Sequence, residues 1–133
     1  MKNIAIRENH LYKKVYIKGS KAYGKYTVIY VLKDYKAYKL MKANPKKEYV
    51  NRIGLTVTKK LGGAVVRNRV KRILRAALHE AMKNYSFKKG NLIVVSARED
   101  ATGAKSTDVY KEMVRQLTKL SLITEKKETE DAK

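Results

Sequence analysis

The sequence contains no cysteine and no tryptophan, and it has a single proline and a single phenylalanine. Without cysteine the chain can form neither a disulfide bond nor a thiolate zinc site, and it has no cysteine nucleophile. It also lacks any apolar run near the roughly 18 residues that cross a bilayer, and the patch Ile4-Ala5-Ile6 is too short for a signal peptide. We therefore expect a soluble, cytoplasmic protein.

Acidic residues are scarce as well, because 12 aspartates and glutamates stand against 32 lysines and arginines, for a formal charge of +20. The last ten residues, 124–133, carry four acids and three bases, so the body of the chain is at +21. Such a charge favours a polyanionic partner, either nucleic acid or an anionic membrane surface. The lack of a long apolar segment favours nucleic acid and predicts no membrane partner.

The apolar pattern predicts one domain over residues 1–123, since 133 residues are too few for two cores of normal size. Helical spacing of apolar residues covers 8–18, 65–84 and 106–120. Strand-like runs cover 26–33, 52–58 and 91–97. The segment 35–49 is predicted to be an exposed connection and the tail 124–133 to be disordered. Each predicted helix has one apolar stripe that has to be buried against the predicted sheet. This pattern predicts a two-layer α+β fold.

Two of the predicted strands differ in their pattern. Residues 26–33 are apolar on both faces, so neighbouring elements should cover much of that strand. In residues 52–58, Ile53, Leu55 and Val57 alternate with small or polar residues, which predicts a strand buried on one face only.

The second helix carries a positive charge that no nearby acid offsets. Residues 49–79 contain eight lysines or arginines and no acid. With successive residues 100° apart, one sector of the helix is apolar and the opposite sector contains Asn68, Lys71, Arg72, Arg75 and His79. This pattern predicts one face that packs and one that binds phosphate, and the alternative is a solvated basic face.

The loop before this helix contains Lys59, Lys60 and the pair Gly62-Gly63. Glycines permit close backbone approach, and a helix N-terminus offers free amides to a phosphate, although a plain turn would also use these glycines.

Tyrosine is the main aromatic residue, with ten copies. Tyr12 and Tyr16 lie four residues apart on the first helix, and Tyr30 lies in the first predicted strand. Exposed rings can stack on the bases of a single-stranded nucleic acid, at roughly 1 to 3 kcal/mol per base. The alternative is that the rings pack at the edge of the core with their hydroxyls in water.

The sequence predicts no catalytic residue, no metal site and no cofactor bound by the protein itself. His10 and His79 are far apart in sequence, and neither has a carboxylate cluster beside it. The acids that a metal nuclease would have to assemble are Asp34, Glu48, Glu80, Glu99 and Asp100.

The run KKLGGAVVRNRVKR, residues 59–72, closely resembles the signature of the bacterial ribonuclease P protein component. Segments 12–19, 52–58 and 91–98 also resemble that family, so the likeness spans roughly residues 6–122. It implies a ribosomal-protein-S5-domain-2-like, two-layer α+β sandwich in the order α-β-β-β-α-β-α. The basic helix would then be a left-handed crossover between parallel strands, against the usual hand.

The resemblance also implies a function. A member of this family joins a catalytic RNA, and the complex is an endoribonuclease that removes the 5′ leader of precursor tRNA. The RNA subunit holds the reactive Mg²⁺ ions, while the protein binds the leader and the RNA. By position, Tyr12, Tyr16 and Tyr30 correspond to the aromatic residues that receive the leader. The RNA-binding residues of the basic helix and its loop correspond to Arg67, Asn68, Arg69, Lys71, Arg72, Arg75, Lys59 and Lys60.

We expect the rings and the basic helix to line one groove for an unpaired RNA strand. Two departures from the family pattern are present: Gly63 replaces the usual asparagine, and Tyr12 and Tyr16 stand where phenylalanine is common. The first removes a side chain and the second preserves a ring. A general RNA-binding protein of ribosomal type and an autonomous metal nuclease stay open as alternatives, as does the oligomeric state.

Overall fold

The computed structural model describes residues 4–6, 9–34, 39, 51–88 and 90–125. Its helices are α1 (Asn9–Lys18), α2 (Ala64–Asn84) and α3 (Ser106–Lys119). Its strands are β1 (Ile4–Ala5), β2 (Ser20–Tyr23), β3 (Thr27–Lys33), β4 (Arg52–Thr56), β5 (Tyr85–Phe87), β6 (Asn91–Ala97) and β7 (Ile123–Glu125). Two short 3₁₀ helices cover Lys59–Leu61 and Glu99–Gly103.

The described strands form a five-stranded mixed sheet in the order β1-β4-β6-β3-β2 and a separate two-stranded ribbon of β5 and β7. Strands β1, β4 and β6 are parallel, whereas β3 and β2 run antiparallel to their neighbours. Because β4 and β6 are adjacent and parallel, α2 is the crossover that connects them. This confirms the predicted α+β class and the order of the main elements.

Both faces of the sheet are buried, because successive side chains of a strand point to opposite sides. On β6, Ile93 and Val95 belong to the main core beneath α2 and α3, while Leu92 and Val94 pack beneath α1. The sheet therefore separates α1 from the other two helices.

Strand β4 corrects the prediction of one-sided burial. Ile53, Leu55 and Val57 pack against the α2 side, as their alternation predicts. On the other side, however, Gly54 is buried beneath the ring of Tyr12 from α1. The prediction is wrong because a glycine can be covered completely by one large side chain from another element.

Short strands extend the predicted set. The segment 20–23 forms β2, and the chain just after α2 forms β5. Thr124 and Glu125 pair with Ser86 and Tyr85 in the ribbon, so backbone hydrogen bonding continues two residues into the predicted disordered tail. The rest of that tail, 126–133, lies outside the described residues, as do 35–38 and 40–49 of the predicted connection.

A buried carboxylate of α3 fixes the turn between β2 and β3. Glu112 is 5% exposed and accepts hydrogen bonds from the backbone amides of Lys25, Tyr26 at 3.0 Å and Thr27 at 3.1 Å. One turn later on α3, the amide of Gln116 donates to the carbonyl oxygen of Thr27 at 2.8 Å. The turn is thus held to α3 through its backbone.

We expect Glu112→Ala to lower the free energy of unfolding by about 3 kcal/mol or more, because each buried amide left without an acceptor costs about 1 to 3 kcal/mol. Urea unfolding followed by circular dichroism measures the change. The exposed neighbour Lys111 on α3 provides a matched control, and Lys111→Ala should change stability by less than about 0.5 kcal/mol. Equal losses in the two variants would contradict this role of Glu112.

Candidate RNA interface

Tyr12 lies on the sheet face that α1 covers. Its ring is seated over Gly54 of β4, where an added Cβ would overlap the ring, and its hydroxyl donates to the carbonyl oxygen of Ile6 at 3.4 Å. The four-residue spacing of α1 places Tyr16 beside it, one turn along the helix.

Tyr16 connects α1 to the ends of two strands. Its hydroxyl donates to Thr56 Oγ1 of β4 at 3.1 Å and lies 3.3 Å from Ser96 Oγ of β6. Its ring meets Tyr30 of β3 edge to face, with centroids 4.7 Å apart and planes at 83°. The ammonium group of Lys21 on β2 lies 5.7 Å from the centroid of the Tyr30 ring, within cation–π range.

We call Tyr12, Tyr16 and Tyr30 the ring surface. All three side chains are half-buried and pack against the smaller core beneath α1. The prediction of core-edge packing and the prediction of exposed rings therefore each describe part of the same side chains. One portion of each ring is anchored in the core, and the remainder is open to a ligand.

The hydroxyls of Tyr12 and Tyr30 stay protonated at neutral pH. Burial raises the pKa of Tyr12 and of Tyr30 above 10.0, and the neighbouring Tyr16 adds to the rise in both. Tyr23 also raises the pKa of Tyr30, and Arg98 opposes the rise. Neutral hydroxyls on Tyr12 and Tyr30 do not repel RNA phosphates.

On the other side of the sheet, α2 has the two predicted sectors. Val70, Leu74 and Ala77 are buried in the main core, which confirms the packing face. The opposite sector, which we call the basic face, consists of Asn68, Lys71, Arg72 and Arg75. Together with the exposed Val65, these four residues line a surface depression of about 470 Å³.

The remaining predicted cations have different surroundings. The guanidinium of Arg69 donates to the carbonyl oxygen of Thr102, so this residue also ties α2 to the second 3₁₀ helix. Arg67 is half-buried, and its Nε has no hydrogen-bond partner among the described residues. Lys59 and Lys60 are exposed in the first 3₁₀ helix.

The ring surface and the basic face lie on opposite sides of the sheet. On β3, Tyr30 points toward α1, whereas the preceding Ile29 packs in the core beneath α2 and α3. The predicted single groove lined by both sets is therefore wrong. The physical reason is that α1 and α2 each need a sheet face to bury an apolar stripe, and each takes a different one.

Cations that the sequence did not single out accompany the rings instead. Lys21 lies over Tyr30, and Arg98, directly after β6, donates to the carbonyl oxygen of Gly24 at 2.9 Å. Tyr23 of β2 shares their side of the sheet and is 66% exposed. The alternation of Lys21 and Tyr23 is a strand signal, but four residues are too short a run to reveal a strand by themselves.

Some of the acids considered for a nuclease have structural partners. Arg52 binds Asp34 with both ends of its guanidinium, at 2.6 Å from Nε and 2.8 Å from Nη2. Within the described part of the chain, no three histidine, aspartate or glutamate side chains are grouped to hold a metal ion. In the same residues, no helix combines the length and apolarity that crossing a membrane requires.

A basic α+β protein with tyrosines on one face of its sheet and a cationic crossover helix on the other belongs to the class of small RNA-binding proteins. A family model described as Ribonuclease P matches residues 1–121. The chain is 32% identical over 123 residues to the ribonuclease P protein component of Clostridium acetobutylicum, covering 92% of this chain and 93% of that protein. The chain belongs to the ribonuclease P protein family.

Further relatives agree with this assignment. The ribonuclease P protein component of Alkaliphilus oremlandii is 31% identical over 118 residues, 89% of this chain and 91% of that one. The fold matches the RNase P protein of Staphylococcus aureus with a TM-score of 0.69 at 24% identity, over 92% of this chain and 100% of that chain. For the Thermotoga maritima RNase P protein the TM-score is 0.62 at 20% identity, over 86% and 94%.

Family membership confirms the predicted function. The chain is a protein subunit of RNase P, the ribonucleoprotein endoribonuclease that processes the 5′ end of precursor tRNA, and it associates with the RNase P RNA. Neither the ribosomal-type alternative nor the autonomous nuclease is favoured by this finding.

Proposed function

We propose that this chain binds the 5′ leader of precursor tRNA on its ring surface and the RNA subunit of RNase P through its basic face. The observation that carries the proposal is the separation of the two surfaces by the sheet. One protein can then contact two RNA segments at the same time. Each surface also has a distinct chemistry, which suits a distinct kind of RNA.

The ring surface suits an unpaired strand. Tyr12, Tyr16 and Tyr30 are partly open, and single-stranded RNA offers base faces that a double helix hides within its stack. Lys21 and Arg98 supply positive charge beside the rings for the phosphates that link the bases. Because the rings are fixed by contacts with the sheet, little side-chain freedom is lost on binding.

The basic face suits the backbone of a folded RNA. Asn68, Arg72 and Arg75 are exposed, and Lys71 is half-buried beside them. Arginine can contact two phosphate oxygens with its planar fork, and asparagine can both donate to and accept from a sugar hydroxyl. We further propose that Arg67, Arg69, Lys59 and Lys60 contribute to this contact.

Hydrolysis, in this proposal, takes place on the RNA subunit, which supplies the Mg²⁺ ions. The protein contributes by positioning the substrate, since holding the leader fixes the cleavage site relative to the catalytic RNA. The buried carboxylates Asp34 and Glu112 serve the fold, through Arg52 and the β2–β3 turn respectively. We propose that the chain acts as a single domain, residues 1–123, in the cytoplasm.

Reconstitution with a bacterial RNase P RNA tests this division of work. We expect the isolated protein to cleave no precursor tRNA, because the chemistry resides on the RNA. Added to the RNA, it should lower both the Mg²⁺ concentration and the precursor concentration at which cleavage is half-maximal. Cleavage by the RNA-free protein, or an unchanged requirement for Mg²⁺ and precursor, would contradict the proposal.

A further inference from the structure

Strand β2 brings a fourth tyrosine to the face that α1 covers. In the pairing of β2 with β3, Lys21 lies opposite Tyr30 and Tyr23 lies opposite Val28. Alternate residues of a strand share a face, so Lys21 and Tyr23 both lie on the side of Tyr30. Tyr23 is 66% exposed, whereas the three residues of the ring surface are half-buried.

The four rings follow the order of the strands. Tyr12 lies over β4, Tyr16 over the ends of β4 and β6, Tyr30 on β3 and Tyr23 on β2. Since these strands are neighbours in the order β4-β6-β3-β2, the rings form a row across the sheet, from the part covered by α1 to the edge strand β2. Tyr23 is close enough to Tyr30 to influence its ionisation. Because β3 and β2 are neighbouring strands, Tyr23 extends the row directly beyond Tyr30.

Positive charge surrounds the outer end of this row. Lys21 and Lys25 flank Tyr23 along the chain, and both are exposed. The guanidinium of Arg98 is bound to the carbonyl oxygen of Gly24, the residue next to Tyr23. An RNA strand that continues along the row would thus find cations for its phosphates as well as a ring for its base.

The backbone that carries Tyr23 is held in place. The amide of Gly24 donates to the carbonyl oxygen of Thr27 at 2.9 Å, which closes the turn, and Glu112 anchors the turn amides to α3. An exposed ring on a fixed backbone is suited to binding, because only the side chain loses freedom when a base stacks on it.

We propose that Tyr23 is an additional stacking position for the precursor tRNA leader, which takes one unpaired base beyond those on the ring surface while Lys21 contacts the adjoining phosphate. This inference rests on the proposed role of the ring surface in leader binding. It assigns a residue outside the family correspondence, which covers Tyr12, Tyr16 and Tyr30. The leader-binding surface of this chain would accordingly be longer by one nucleotide.

The first test compares Tyr23→Ala with Tyr23→Phe in the reconstituted holoenzyme. The alanine variant should weaken precursor binding by between about 5-fold and 150-fold, and the phenylalanine variant, which keeps the ring, should stay within about twofold. Binding of mature tRNA should not change. Ile17→Ala is the matched control, because Ile17 is 78% exposed on α1 and belongs to neither core.

The second test removes the leader bases one at a time by abasic substitution. In a double-mutant cycle, Tyr23→Ala should remove the sensitivity to one leader base, and Tyr30→Ala should remove the sensitivity to a different base. If Tyr30→Ala weakens precursor binding and Tyr23→Ala does not, the inference is overturned while the proposed function stands. If neither substitution weakens the binding of precursor more than that of mature tRNA, the proposed function itself fails. A loss shared equally by mature tRNA would also overturn the inference.

Discussion

The double variant Tyr16→Ala, Tyr30→Ala is expected to lose most of the preference of the holoenzyme for precursor over mature tRNA. Each ring that stacks on a base contributes roughly 1 to 3 kcal/mol, so the loss of two corresponds to a factor of about 30 or more in precursor affinity. Mature tRNA has no leader, and its affinity should stay within about twofold. Equilibrium binding of both RNAs to the reconstituted enzyme measures the two effects.

The control for this variant keeps the rings and removes the hydroxyls. Tyr16→Phe, Tyr30→Phe loses the hydrogen bonds of Tyr16 with Thr56 and Ser96 but retains the edge-to-face pair. It should bind precursor nearly as well as the parent protein. If the phenylalanine variant lost as much affinity as the alanine variant, the hydroxyl network rather than stacking would be responsible. Thermal unfolding of both variants establishes that the comparison is made on folded protein.

The triple variant Lys71→Ala, Arg72→Ala, Arg75→Ala is expected to weaken assembly with the RNA subunit by about 100-fold, because three charged contacts are lost from the basic face. The slope of log affinity against log salt should flatten by about 2 to 3, because each of the three lost phosphate contacts contributes about 0.7 to 0.9. Titrations of the protein with the RNA subunit at several salt concentrations give both values.

A control with the same loss of charge is available on α3. Lys111, Arg115 and Lys119 are exposed there, and replacing all three by alanine removes an equal charge away from the basic face. This control should leave the salt dependence nearly unchanged. Equal flattening in the two triple variants would mean that assembly responds to total charge alone, and that the basic face has no particular role.

The sequence predicts the large elements well, because their apolar patterns are long. The stripe of α2 repeats over several turns, and the central part of β6 is apolar on both faces, so local information is sufficient. Strands β2, β5 and β7 are three or four residues long and are defined by their partners. Such pairing has no local signature. The burial of Glu112 likewise has no local signal in the sequence, since its partners are backbone amides of a distant turn.

The sequence names candidate residues for the site but does not predict their arrangement. Spacing and family resemblance propose the tyrosines and the cations as RNA-binding residues, yet neither indicates which face of the sheet each helix covers. The alternation of side chains along β3 predicts that Ile29 and Tyr30 point to opposite faces of the sheet. It does not predict that α1 covers the face of Tyr30. That choice depends on how the helices share the sheet, which is a property of the whole domain. Because α1 and α2 cover opposite faces, the structure has two separate surfaces in place of the one expected groove.

The most direct measurement of this two-surface arrangement is the ratio of the dissociation constants for mature and precursor tRNA. It should be taken at one salt concentration, with the RNA subunit saturated by protein, on the parent enzyme, the double alanine variant of the ring surface and the triple variant of the basic face. We expect the ratio to fall toward one in the ring variant and to keep its parental value in the basic-face variant. A ratio that collapsed in the basic-face variant while the ring variant retained it would contradict the assignment of the leader to the ring surface.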